Sequence, residues 1–425
     1  MTIKPKYLIS IAIGFTAFAM MLVWARMTGH FEQLQIGSWV VAEWLINYSG
    51  GFVRRGLAGE LLFQIGGGQD LLHLLYRGTL LFYLVYCAIF YGVYALAKVK
   101  NPVLLLVAVL LPGSIFQMGF VNQFFNRKEV LFLILFGILC LLYLVALRAS
   151  AKSRDRCLIA MILLAVVGGV MMTLVHEGYV FMSYPLTLLL LWIAGQENSR
   201  NQILRWGFWI YAALIPAVFL FCVQHRGGPE FALSIWQSLS LSDRLSLSPE
   251  APYTVFGPIY SISWGFVQNW LTIYGVFATR GWVYWLIFIL GNGFALVYVI
   301  TRLQMDLLTQ TKGKSYRFVT YLFLGMLLSG FMFAIAADWG RWIAYASNSV
   351  LLFAFAMTQS TFLQEGSSGQ LSKWMRCITQ APIFNSLFSL WVIIAYALVF
   401  ALPECCINPR YIIMPYKHFF SAFFL

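Results

Sequence analysis

A chain of 425 residues with 61% hydrophobic, 17% aromatic and only 10% charged residues lies far from a soluble domain, where about 25% are charged. Repeated apolar runs of 18 or more residues point to an all-α, polytopic integral membrane protein. The formal net charge of +13, from 28 Lys and Arg against 15 Asp and Glu, sits in short loops between spans, so it reads as a topology signal and as contact with anionic lipid or phosphate, not with nucleic acid.

The first predicted span covers 7–25, behind Lys4 and Lys6. It is long and no small-residue cleavage site follows, so it is expected to be retained as a helix. Further spans are expected at 72–97, 103–120, 130–147, 158–175, 179–194, 206–223, 282–301, 318–336, 342–362 and 383–402, about eleven helices in one transmembrane domain, 1–425. Lys98, Lys100, Arg148, Lys152, Arg154, Arg156, Arg200, Arg205, Arg302, Lys312, Lys314, Arg317, Lys373 and Arg376 all fall on alternate turns. The positive-inside rule then places those turns and the N-terminus in the cytoplasm and the C-terminus outside. A first outer loop, 27–71, is expected to carry an amphipathic helix. A long outer loop, 224–281, holds SLSLSDRLSLS (238–248) and an aromatic stretch, 258–279, that lies in the interface or re-enters the membrane. Of the seven cysteines, Cys87, Cys140, Cys157 and Cys222 sit in apolar stretches and Cys405 and Cys406 are adjacent; none has metal-ligand spacing.

Four polar clusters share the outer side. NYSGGFVRRGLAGELL (47–62) puts Arg54 and Arg55 among glycines. Ser49 reads as a cap for a helix over 52–63, with glycines that admit a phosphate to backbone N–H groups. Glu60, five and six residues on, lies on another helix face, so the arginines need carboxylates from elsewhere or an anionic ligand; the alternative is a pair meeting lipid headgroups. HEGY (176–179) offers Glu177 as a general base with His176 steering the proton, or a pair that merely stabilises a helix end. DWGRW (338–342) has the spacing of a local Asp338–Arg341 ion pair, with Trp339 and Trp342 in the aromatic belt; alternatively Arg341 binds phosphate and a tryptophan stacks on a sugar. NRKE (126–129) reads as a solvated cap on the fourth span, or as phosphate contacts from Arg127 and Lys128. Walker, Rossmann, HExxH and GxSxG patterns are not present, so nucleotide hydrolysis and standard hydrolase chemistry have no support.

With these spans and outer-face clusters the chain resembles the multispanning glycosyltransferases of the GT-C type and related O-antigen and exopolysaccharide polymerases, and GGFVRRGLAGE is similar to a run in bacterial envelope proteins. The resemblance implies a GT-C-like bundle in the bacterial cytoplasmic (inner) membrane, a polyprenyl-phosphate- or pyrophosphate-linked sugar as donor, and membrane lipid as a partner. It makes Glu60 the first-loop acid and Glu177 the competing base, with His176 and Asp338 near the chemistry. Arg54, Arg55 and Arg341 would hold phosphate. The paired first-loop acids of many such enzymes are missing, which leaves the base and a divalent metal open; no other cofactor is implied. A lipid-linked oligosaccharide flippase or other secondary transporter is the main alternative, and a membrane acyltransferase using His176 a further one.

Overall fold

The computed structural model describes residues 5–27, 38–97, 99, 101–120, 127–198, 201–246, 257–311, 330, 332–335, 337–360, 362, 387–400 and 402. The described chain is helical, as a membrane interior demands: only a helix or a closed barrel satisfies every backbone polar group without water. Six described helices are long and apolar enough to cross a bilayer, which makes this an all-helical, multi-pass membrane protein. They are α1 (Pro5–Met27), α4 (Leu71–Leu96), α6 (Val130–Arg148), α7 (Ala151–Val175), α10 (Gln202–Gln224) and α14 (Trp282–Thr311). Between them lie α2 (Ser38–Trp44), α3 (Leu57–Gly66), α5 (Pro102–Leu110), α8 (Tyr179–Met182), α9 (Tyr184–Glu197), α11 (Pro229–Ser238), α12 (Leu241–Ser246) and α13 (Phe266–Ala278). The chain continues through α15 (Met332–Ile335), α16 (Trp339–Met357) and α17 (Leu387–Val399).

Burial follows side-chain pattern. On α10, Gly207, Tyr211, Ile215 and Cys222 face inward, while Trp206, Trp209, Ile210, Leu220 and Phe221 are exposed as a lipid-facing stripe. Helix α16 is buried at nearly every position and packs on α6 and α14. Helix α7 packs on both α6 and α10, and α4 on α6. Alternating chain direction puts the start of α6, the end of α7, the end of α10 and the start of α16 at one end of the bundle.

Two expected spans are not continuous helices. The expected span 103–120 starts well, with Pro102 in the first turn and the Asn101 side chain accepting from Val103 N. It stops at Leu110, turns through 111–114 and resumes as a 3-10 turn at Ile115–Phe120. Distant amides compensate the broken ladder: Asn292 Oδ1 accepts from Gly113 N at 2.9 Å, and Asn348 takes both Ile115 N and Gly113 O at 3.2 and 2.9 Å. A Cβ on Gly113 would lie 2.5 Å from Asn292 Oδ1, so only glycine permits this approach. The expected span 179–194 is likewise split at Ser183 into α8 and α9. The span expected at 318–336 falls largely outside the described residues, as do Cys405 and Cys406, whereas the span expected at 383–402 is described over 387–400 and 402 and holds α17 (Leu387–Val399).

In the first loop the helix starts later than expected, at Leu57, with Gly56 as a cap that lacks a side-chain bond. The Asn47–Gly56 backbone is committed to turns first. A Cβ on Gly59 would run into the Ile46 carbonyl, so this glycine serves helix-to-backbone packing. The loop 224–281 folds back onto the bundle: Asp243 accepts from Leu71 N and Leu72 N at 3.3 Å each, capping α4 from 171 and 172 residues away.

Candidate functional site

The four clusters predicted from sequence meet at the end of the bundle just described, around a cavity of about 240 Å³. Its walls include Arg54 and Arg55 from the turn before α3, Arg127 from the turn before α6, and His176 and Glu177 from the break between α7 and α8. Asp338, Arg341 and Trp342 come from the start of α16, and Glu43 from the end of α2. Phe181, Phe219, Val223, Phe266 and Met332 form an apolar wall. The volume is below the roughly 300–1,000 Å³ of drug-sized sites.

Glu43 is the hub. Its Oε2 accepts from Arg127 Nη1 at 2.5 Å and lies 3.6 Å from Arg341 Nη1. Its Oε1 lies 3.4 Å from His176 Nε2 and 3.7 Å from Arg55 Nη1. Burial pushes this carboxyl up, but the His176 contact and the charges of Arg127, Arg341 and Lys128 together hold it well below the usual carboxylate range. Glu43 was missed in the sequence, although a lone acid in the apolar helix SWVVAEW is a signal of its own.

Glu177 is clamped by both arginines. Arg55 Nε and Nη2 donate to it at 2.8 to 2.9 Å and 2.5 Å, and Arg54 Nη1 lies 3.2 Å away. Burial raises the Glu177 pKa, yet Arg55 and Arg54 hold it well below normal, so it is a fixed anion. The remaining Arg54 donors go to a single turn, Nε to Ile262 O at 2.7 Å and Nη2 to Trp264 O at 2.7 Å. Burial brings this guanidinium down to about 10. Arg55 itself has φ +64, a left-handed conformation that costs a non-glycine residue about 1–2 kcal/mol. Lys128 Nζ helps to hold it there, donating to Arg55 O and Glu43 O at 3.1 Å each.

NRKE departs most from expectation. Instead of a solvated cap, Arg127, Lys128 and Glu129 are buried, Lys128 at 1% and Glu129 at 0% exposure; Asn126 lies outside the described residues. The reason is tertiary: α2 brings Glu43 against this turn. Among the described residues Glu129 accepts no side-chain hydrogen bond and is balanced by Arg341 Nη1 at 3.2 Å. The Asp338–Arg341 pair expected from spacing is present at 2.7 Å, and Arg341 also reaches Glu129 and Glu43.

His176 is held in one tautomer. Its Nδ1 accepts from Gly178 N at 2.9 Å, so the proton of the neutral ring sits on Nε2, facing Glu43 and Glu129. Burial, with Arg55 adding to it, lowers the His176 pKa and keeps the ring neutral.

Glu60 stands apart. Its oxygens accept from Tyr48 N at 3.0 Å and Gln64 Nε2 at 2.7 Å, and among the described residues it does not wall the cavity, nor do Lys128, Trp339 or the glycines at 50, 51, 56 and 59. Trp339 packs instead against Trp285, Phe277 and Phe333. Trp342 does wall the cavity, with the Arg341 guanidinium 4.5 Å from its ring centre.

Taken together, Arg54, Arg55, Arg127, Lys128 and Arg341 face Glu43, Glu129, Glu177 and Asp338, five against four. With His176 neutral, these nine side chains among the described residues carry one excess positive charge. Among the described residues no group of three or more His, Cys, Asp or Glu side chains is placed to hold a metal ion. No family model, curated protein or solved structure matches the chain.

Proposed function

We propose that this cavity binds the phosphate of a polyprenyl-phosphate- or pyrophosphate-linked sugar and transfers the sugar to an acceptor hydroxyl in cell-envelope glycan synthesis. The observation that carries the reading is a buried cluster with one excess positive charge beside an apolar wall, a pairing suited to an anionic head group on a hydrocarbon chain. The reading places the cavity at the outer face of a bacterial cytoplasmic membrane, with eleven crossings in a GT-C-like bundle, the N-terminus inside and the C-terminus outside.

Asp338 is the base in this scheme. Its side chain is 30% exposed, against 11% for Glu177 and 4% for Glu43, so it is the carboxylate an acceptor can reach. Glu177, held as an anion by two guanidiniums, is a poor proton acceptor and works as a positioning group. The acceptor oxygen attacks the anomeric carbon as its proton passes to Asp338. The bond from that carbon to the phosphate oxygen breaks with its electron pair, and Arg55 and Arg341 meet the charge growing on the leaving phosphate.

The test is envelope polysaccharide formed by cells carrying Arg55→Lys or Asp338→Asn, normalised to protein in the membrane. Loss of the bidentate fork or of proton acceptance predicts a fall of about tenfold or more at unchanged protein level. Wild-type polysaccharide from both variants removes the assignment. The flippase reading draws on the interrupted helix at 111–114, a feature of transporters. Its polar groups are bonded within the protein, which favours the enzyme; movement of intact lipid-linked glycan by proteoliposomes without sugar transfer would reverse that preference.

A further inference from the structure

The opposite end of the bundle carries a second cavity that the glycosyl-transfer reading does not use. It measures about 360 Å³ and lies between the end of α9 and the start of α10. Trp192, Phe208 and Trp209 wall it with aromatic surface, Gly195 opens its floor, and Arg205 and Gln196 stand at its edge. A Cβ on Gly195 would meet nothing within 4 Å, so the groove is open where an ordinary side chain would fill it.

Two observations define the occupant. Among the described residues Arg205 has no ion pair and no hydrogen bond, and no acid is among the groove's walls. The groove is also continuous with the exposed apolar face of α10, where Trp206 is 67% and Trp209 63% exposed. An unpaired guanidinium calls for an anion, and an aromatic wall that runs into the lipid-facing surface calls for one attached to an acyl chain. Helix α10 has 23 residues, which separates this groove from the charged cavity by about 35 Å at 1.5 Å per residue.

We infer that the α9–α10 groove is a binding site for an anionic glycerophospholipid. The phosphodiester sits on Arg205, the Gln196 amide is within the head-group region, and an acyl chain lies along Trp209, Phe208 and Trp192. The full-length protein, purified in neutral detergent and examined by native mass spectrometry with added phosphatidylglycerol or phosphatidylcholine, tests this. Wild type should retain phosphatidylglycerol preferentially. Arg205→Gln should cut the preference about fivefold, the worth of one basic side chain toward an anionic headgroup, while Arg205→Lys keeps most of it. Gly195→Leu fills the groove without touching charge and should lower retention as much as Arg205→Gln; the open space around Gly195 means it should fold. Equal retention of the two lipids by wild type, or a preference that survives either Arg205→Gln or Gly195→Leu, overturns the proposal. None of these outcomes bears on glycosyl transfer.

Discussion

Two of the polar regions among the described residues satisfy their groups in opposite ways. Around the break at 111–114 the groups are neutral and complete. Asn348 accepts from Tyr86 OH and Ile115 N and donates to Gly113 O and Ala344 O, all between 2.7 and 3.2 Å. Asn292 accepts from Gly113 N and donates to Phe288 O and Tyr396 OH, each at 2.9 Å. Around the cavity the groups are charged and incomplete. Among the described residues, His176 Nε2 and Arg341 Nε and Nη1 in the cavity wall, and both oxygens of Glu129, which does not line it, are buried without a hydrogen bond, although ion pairs surround them. Complete satisfaction of neutral groups locks one backbone geometry, whereas unmet hydrogen-bonding capacity beside a void is capacity for a ligand. The first region holds the fold; the second is the one that the proposed function assigns to a ligand.

The contrast is most strained at Glu43. Glu43→Gln leaves Arg127 and its neighbours uncompensated, and loss of one partner from a buried charge pair costs about 3–5 kcal/mol. Thermal denaturation in detergent should show a large loss of stability, with partial recovery when Arg127→Met is added. A Glu43→Gln protein as stable as wild type would mean that the cluster is hydrated like a surface, and the contrast would fail.

Asn348→Leu probes the other region. It strands the Gly113 carbonyl and Ile115 amide, at about 1–3 kcal/mol for a buried group left unsatisfied. Abundance and Tm should fall while polysaccharide formed per folded molecule holds. If the activity of the folded fraction collapses as well, the two regions are coupled and the division of roles is wrong.

A smaller effect, opposite in sign for two readouts, comes from Lys128. Burial holds its ammonium at about 8, against the pull of Glu43, whereas a free lysine titrates near about 10.4. Between those values the unfolded chain binds the proton and the folded protein does not, so stability rises with pH. Over the same window the cluster loses its excess positive charge and anion binding weakens. Denaturation midpoints and sulfate binding measured between about pH 7 and 10 should therefore diverge, and a parallel rise or fall would place the excess charge elsewhere.

The smallest effect is expected at Glu60→Gln. Glu60 bonds only Tyr48 N and Gln64 among the described residues, and glutamine still accepts from the amide. Stability should change by less than about 1 kcal/mol and polysaccharide should be unaffected; a severe loss of activity would bring Glu60 back as the first-loop acid.

Much of the architecture was legible in the sequence because its causes are local. Apolar runs give α1, α4, α6, α7, α10 and α14, and i,i+3 spacing gives the Asp338–Arg341 pair. The alternation of basic turns groups four polar clusters at one end, where Arg54, Arg55, His176, Glu177, Asp338 and Arg341 are found together. Only the tertiary structure decided which of these charges are buried and what compensates them. NRKE reads as a solvated cap until α2 brings Glu43 against it from 84 residues away, and the arginine pair is answered by Glu177 from 122 residues away, not by nearby Glu60. The break at 111–114 lies in an apolar run that reads as a helix; it persists because asparagines 179 and 235 residues away take up the freed backbone groups. Hydropathy and spacing report a residue's immediate neighbours, whereas the cost of a buried charge or a broken helix is set by whichever partners the fold delivers.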